Sequence, residues 1–138
     1  MTMYRAFSAL AVGLLMTIGA APAIAATVKV TVNGTPITDV QIAQRLALMK
    51  LENRSGAQTA QDELINEALE MQEAKRIGFQ ISESDVDSAL AQLAAQLRLS
   101  TSNLMKVLTN NGVGIATLRD RLRANLAWSK IRQPAIKI

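Results

Sequence analysis

Between Thr38 and Pro134 the chain is punctuated at Gly56, Gly78, Gly112 and Pro134, and the intervals carry aliphatic side chains three or four residues apart. That spacing puts apolar groups on one face of a helix. Glycine and proline stop helices, so no helix here runs far beyond twenty residues. Such pieces make a small domain that is mainly α, a bundle of about five helices.

The helix starts are written in the same stretch. Thr38 to Gln41 has the Thr-x-x-Gln spacing of a capping box, opening a first helix over Asp39 to about Asn53, with Ile42, Leu46 and Met49 on one face and Arg45 and Lys50 turned away. A second helix runs from about Thr59 to Ile77 with Leu64, Ile65, Ala68, Leu69 and Met71 on a broad apolar face, and ends in Lys75-Arg76 before Gly78. Ser82-x-x-Asp85 caps a third helix carrying Val86, Leu90, Leu93 and Leu97. A short fourth begins at Ser100 to Asn103 and carries Leu104, Met105, Val107 and Leu108. The fifth starts near Ile115 and carries Leu118, Leu122 and Leu126, with Arg119, Arg121 and Arg123 nearby and Trp128 after them.

Ahead of the helices, Val28, Val30 and Val32 alternate and then meet Asn33-Gly34, which predicts a short N-terminal β-hairpin. Pro36 confines the return strand to an edge. Two strands are not stable alone in water, so the hairpin needs helices to cover it.

The first residues read as a leader. Arg5 precedes an uncharged apolar run, Pro22 breaks it, and Ala23 and Ala25 have the small-residue spacing of a secretory cleavage site. Ala6 to Ala26 is long enough to cross a bilayer, yet Gly13, Gly19 and Pro22 argue against an anchor. The expected organisation is a signal peptide over 1–25, a helical domain over 26–133 and a tail over 134–138, with the mature product outside the cytoplasm and no membrane contact after cleavage. The chain has no cysteine, so its stability rests on packing and not on disulfides.

Charge is unevenly placed. Glu52 to Asp87 holds nine acidic and three basic residues, whereas Arg98 to Ile138 holds eight basic and one acidic. Such a chain pairs an acidic helix with a basic one, either within itself or across a second copy, so self-association is one expected partner.

The means for catalysis are scarce. With no histidine and no cysteine, the commonest general base, the most reactive nucleophile and most zinc sites are lost. The carboxylate pairs Asp62-Glu63 and Asp85/Asp87 sit in first turns or on polar faces, where solvation explains them. No glycine-rich phosphate loop is present, and the arginines at 119, 121 and 123 do not make a nucleic-acid partner in a secreted chain. No catalytic residue, cofactor or metal is expected. Met49, Met71 and Met105 are adaptable side chains of the kind found in permissive clefts.

Three stretches carry a resemblance. "VNGTPITDVQIAQRLALMK", "ELINEALEMQEAKRIGFQISESDVDSAL" and "LSTSNLMKVLTNNGVGIATLRDRLRANLAWSKIRQ" together resemble the N-terminal domain of the SurA-type periplasmic chaperones, over about Val28 to Gln133. The resemblance implies an ATP-independent periplasmic module that binds unfolded outer-membrane protein segments rich in aromatic residues. In that family the domain is followed by parvulin-type prolyl isomerase domains, which this sequence lacks. The alternative expectation is therefore a truncated peptidyl-prolyl isomerase without its catalytic half.

For peptide binding, the shorter first, third and fourth helices are the expected source of a groove. Its candidate residues are Leu46, Met49, Leu93, Leu97, Leu104, Met105 and Leu108. Leu64, Leu69, Leu118, Leu122 and Leu126, on the longer helices, are expected in the core.

Overall fold

The computed structural model describes residues 25–133, so the signal sequence expected over 1–25 lies, but for Ala25, outside the described residues, as does the tail expected over 134–138. The described chain runs β1 (Val28–Val32), β2 (Thr35–Thr38), α1 (Asp39–Leu51), α2 (Ala57–Arg76), α3 (Glu83–Gln96), α4 (Thr101–Asn110) and α5 (Ile115–Arg132). Five helices and a two-stranded antiparallel hairpin are the architecture read from the sequence.

The hairpin turns where Asn33-Gly34 predicted it. Both residues have positive φ, 47° and 85°, the two-residue turn whose twist matches that of the flanking strands. Val30 pairs with Ile37 and Val32 with Thr35, with a register irregularity between Val28 and Val30. One side chain of α2 fastens this turn. The Gln72 amide donates to Val32 O at 2.7 Å and to Thr35 Oγ1 at 2.9 Å, and its oxygen accepts from Asn33 at 3.0 Å.

The caps form as spaced. Gln41 N donates to Thr38 Oγ1 at 3.2 Å while Gln41 Oε1 accepts from Thr38 N at 2.8 Å, and Ser82 and Asp85 make the same reciprocal pair at 3.0 and 3.1 Å. Ser100 caps α4 through Asn103 N.

The core joins α1, α3, α4 and α5 around Leu48, Leu90, Leu104, Leu108 and Leu118, closed by Val113 in the α4–α5 turn. α2 and α5 pack along each other, and the alanines Ala60 and Ala74 on α2 and Ala124 and Ala127 on α5 are all buried. Small side chains let helix axes come close.

Three expectations are corrected. Arg45, placed on the outward face of α1, is fully buried, because two glutamates of α2 meet its guanidinium. Leu69, expected in the core, is 44% exposed, since α2 turns its alanines and glutamates towards its neighbours and leaves Leu69 on the open side. Met49, Leu104 and Leu108, expected to line a groove, are core residues at 0%, 4% and 2% exposure.

Candidate binding groove

Along α2, Leu64, Ala68, Met71 and Lys75 follow one another at three- and four-residue steps and so share a stripe. β2 stands on one side of this stripe with Pro36 and Ile37, and α5 stands on the other, leaving a groove of about 490 Å³. Met71 and Lys75 also border an adjoining hollow of about 330 Å³, lined by Phe79 and Ile81 beyond the end of α2. Met71 and Lys75 line both spaces, and the groove and the hollow together form the channel taken as the site.

The residues expected from sequence do not assemble into this groove. Met105 borders a separate hollow of about 430 Å³ together with Ile115. Leu97 ends α3 at 53% exposure, Leu46 is half-buried, and half-buried Leu93 packs on the core. Of the methionines singled out as adaptable, Met71 is the one the channel uses. The signal for the channel lay in the 64, 68, 71 spacing, which looks in sequence like any core-facing stripe.

Beside the groove runs a chain of alternating charges. Arg121 of α5 meets Glu52 at 2.5 Å, Glu52 meets Arg54 at 3.1 Å, Arg54 meets Glu63, Glu63 meets Arg45 at 3.2 Å, and Arg45 grips Glu67 with both terminal nitrogens at 2.6 and 2.8 Å. Arg45 also donates to Thr117 O of α5 at 3.4 Å. Three helices are thus tied through one buried guanidinium. On the other flank, Arg119 meets Glu83 and Asp87 and Arg123 meets Glu83, each at 2.7 Å. The acidic middle and basic end of the sequence therefore pair within the chain, which removes the charge argument for a second copy.

These pairs set the carboxyl groups' titration. Burial alone would push Glu63 and Glu52 up, but hydrogen bonds and charge from Arg54 and Arg45 hold Glu63 below the usual carboxylate range, and Arg121 and Arg54 do so for Glu52. Hydrogen bonds from Arg119 and Arg123 lower Glu83, and the Ser82 backbone amide and hydroxyl lower Asp85. Glu70 moves the other way, raised by burial and by the charge of Glu67. A depressed carboxyl contributes stability that is complete above its unfolded pKa, about 4, and is lost as pH falls through the folded value. The hydrogen bond from Arg76 lowers Glu73 as well. With five groups lowered and one raised, urea denaturation midpoints are expected to stay level from pH 7 to about 5 and then drop steeply below about 4. A midpoint that rises on acidification would refute this balance.

The groove offers apolar side chains and a few charges at its rim, and among the described residues no cluster of three or more potential metal ligands occurs. Nor is any described helix long and apolar enough to cross a membrane.

Comparison with known proteins agrees with this architecture. The family model described as the SurA N-terminal domain matches residues 53–132. A protein named Chaperone SurA from Shewanella denitrificans is 28% identical over 134 residues, covering 90% of this chain and 31% of its own length. Its namesake from Pectobacterium atrosepticum is 26% identical, covering 86% and 30%, and that of Legionella pneumophila is 32% identical over 73 residues, covering 53% and 17%. The chain thus spans about a third of the length of the first two relatives. A solved SurA-like chaperone structure from work on Campylobacter jejuni is 24% identical and covers 75% of this chain and 40% of its own, with a TM-score of 0.43, a likeness that bears on no residue's role. By the match over residues 53–132, this chain belongs to the SurA N-terminal domain family.

Proposed function

We propose that the chain is an ATP-independent chaperone module that holds unfolded segments of outer-membrane proteins in the periplasm, where residues 1–25 direct it as a cleaved signal peptide. Family membership over residues 53–132 is the observation that carries this reading. The apolar channel supports it. Its floor of Leu64, Ala68 and Met71 is half-buried, accessible enough to take a partner's side chains. Leu97 and Met105, also accessible, remain proposed as secondary contacts for clients.

The proposed action is binding without turnover. A client strand loses apolar surface to the channel and is kept from other strands, with contact area as the driving force at roughly 25 cal/mol per Å² before the costs of ordering are subtracted. The chain after removal of residues 1–25 should suppress aggregation of a denatured outer-membrane protein diluted from urea, at modest molar excess and without nucleotide. No suppression, together with no binding of aromatic-rich peptides, would remove the reading. The same preparation is expected to leave prolyl isomerisation of a short peptide at its uncatalysed rate. Turnover would overturn the reading of binding without catalysis.

A further inference from the structure

Lys75 occupies a particular place in the channel. It borders both spaces, it is exposed, and among the described residues it enters no ion pair. The other charges lining the larger groove are answered: Glu67 by Arg45, Asp120 by Arg123, and Arg123 by Asp120 and Glu83. Its neighbour Arg76 is paired with Glu73 at 2.6 Å. One cation therefore stands unpaired on the wall common to the groove and the hollow of Phe79 and Ile81.

The groove also has a direction. From Leu64 to Lys75 the α2 stripe rises about 16 Å, room for about five residues of extended chain. At Lys75 the straight floor stops, because Gly78, with φ 82°, turns the backbone off the helix and Phe79 N bonds back to Ala74 O at 2.8 Å. A straight strand lying on the stripe ends there, beside the hollow of Phe79 and Ile81. The other charges on the groove, Glu67, Asp120 and Arg123, are already engaged in ion pairs, which leaves Lys75, among the described residues, as the lining cation free to meet a carboxylate.

Building on the chaperone reading above, we propose that the channel takes the C-terminal end of an apolar extended polypeptide. Alternate side chains of the strand lie on Leu64, Ala68 and Met71, the last side chain enters the hollow of Phe79 and Ile81, and the terminal carboxylate is held by Lys75.

Three N-terminally fluorescein-labelled hexapeptides of one alternating aromatic and apolar sequence test this by anisotropy on the chain lacking residues 1–25. One has a free C-terminus, one is amidated, and one is amidated with aspartate at the penultimate position. The free acid is expected to bind about fivefold tighter than the other two at low salt, the most that one exposed pair gives. High salt should erase the difference. Lys75→Gln should abolish the difference between acid and amides, while Met71→Glu, checked for folding by circular dichroism, should weaken all three peptides at least tenfold.

Equal affinity for acid and amide overturns the proposal, as does a preference that survives Lys75→Gln. If the aspartate peptide matches the free acid, a side-chain carboxylate is the ligand and the chain-end assignment fails. If Lys75→Gln lowers the melting temperature and leaves the preference intact, Lys75 serves only the end of α2. A dimer by light scattering that Met71→Glu dissolves, without peptide binding, makes the groove a self-interface and also overturns it. Aggregation suppression with no acid preference defeats this proposal alone; loss of both suppression and all peptide binding defeats the chaperone reading beneath it.

Discussion

Arg45→Ala is expected to lose about 3–5 kcal/mol of unfolding free energy, the range found when one partner of a buried ion pair is removed. The guanidinium is wholly buried, and its removal strands Glu67, whose side chain is 14% exposed and is gripped through both oxygens. Glu63 suffers less because Arg54 still reaches it. The interaction's net value is a different quantity. Arg45 Nε is buried without a hydrogen-bond partner among the described residues, so part of the cost of bringing this charge inside is not recovered. Arg45→Met combined with Glu67→Met should therefore regain most of the stability lost by Arg45→Ala, since packed apolar groups often replace a buried pair at little cost. Urea denaturation of both variants and the parent decides it. A loss below about 1 kcal/mol in Arg45→Ala would mean that water reaches the pair in solution.

Met49→Ala is the second large effect, about 2–5 kcal/mol, because a fully buried side chain leaves a cavity that its surroundings fill only in part. Met105→Ala, at 37% exposure on the outer side of α4, should stay within about 1 kcal/mol. Per folded molecule, Met49→Ala should bind peptide as the parent does. A melting temperature that hardly moves in Met49→Ala, together with weakened peptide binding, would return Met49 to the groove assigned to it from sequence.

What could be read from sequence divides by distance along the chain. The two capping boxes, the Asn33-Gly34 turn and the stop at Gly78 each involve residues within about six positions of one another, so local spacing carries them. Arg45 does not belong to that class. Its burial depends on Glu63, Glu67 and Thr117, which lie 18, 22 and 72 positions away, and a charged residue beside leucines reads as an exposed face until those partners are known. The groove failed for a related reason. Periodicity shows that Leu64, Ala68 and Met71 share a stripe but not what the stripe meets, and here it meets a hairpin wall and a space where helix packing was expected. Helix length was the wrong guide: short α4 gives Leu104 and Leu108 to the core, while long α2 leaves Leu69 exposed and its stripe open.

The late position of α5 in the sequence governs how such a chain can be made. Leu118 completes the core begun by Leu48 and Leu90, and the Thr117 carbonyl completes the partners of Arg45. Contacts of this span cannot form until more than a hundred residues have left the ribosome, however well α1 to α4 are capped. Loops of that length add little to the equilibrium cost of closure but slow the search for it. A polypeptide emerging from its N-terminus thus exposes Leu48, Leu90 and Leu108 to its surroundings while α5 is still being synthesised. During its own biogenesis it exposes apolar side chains of the sort that we propose it later covers in others.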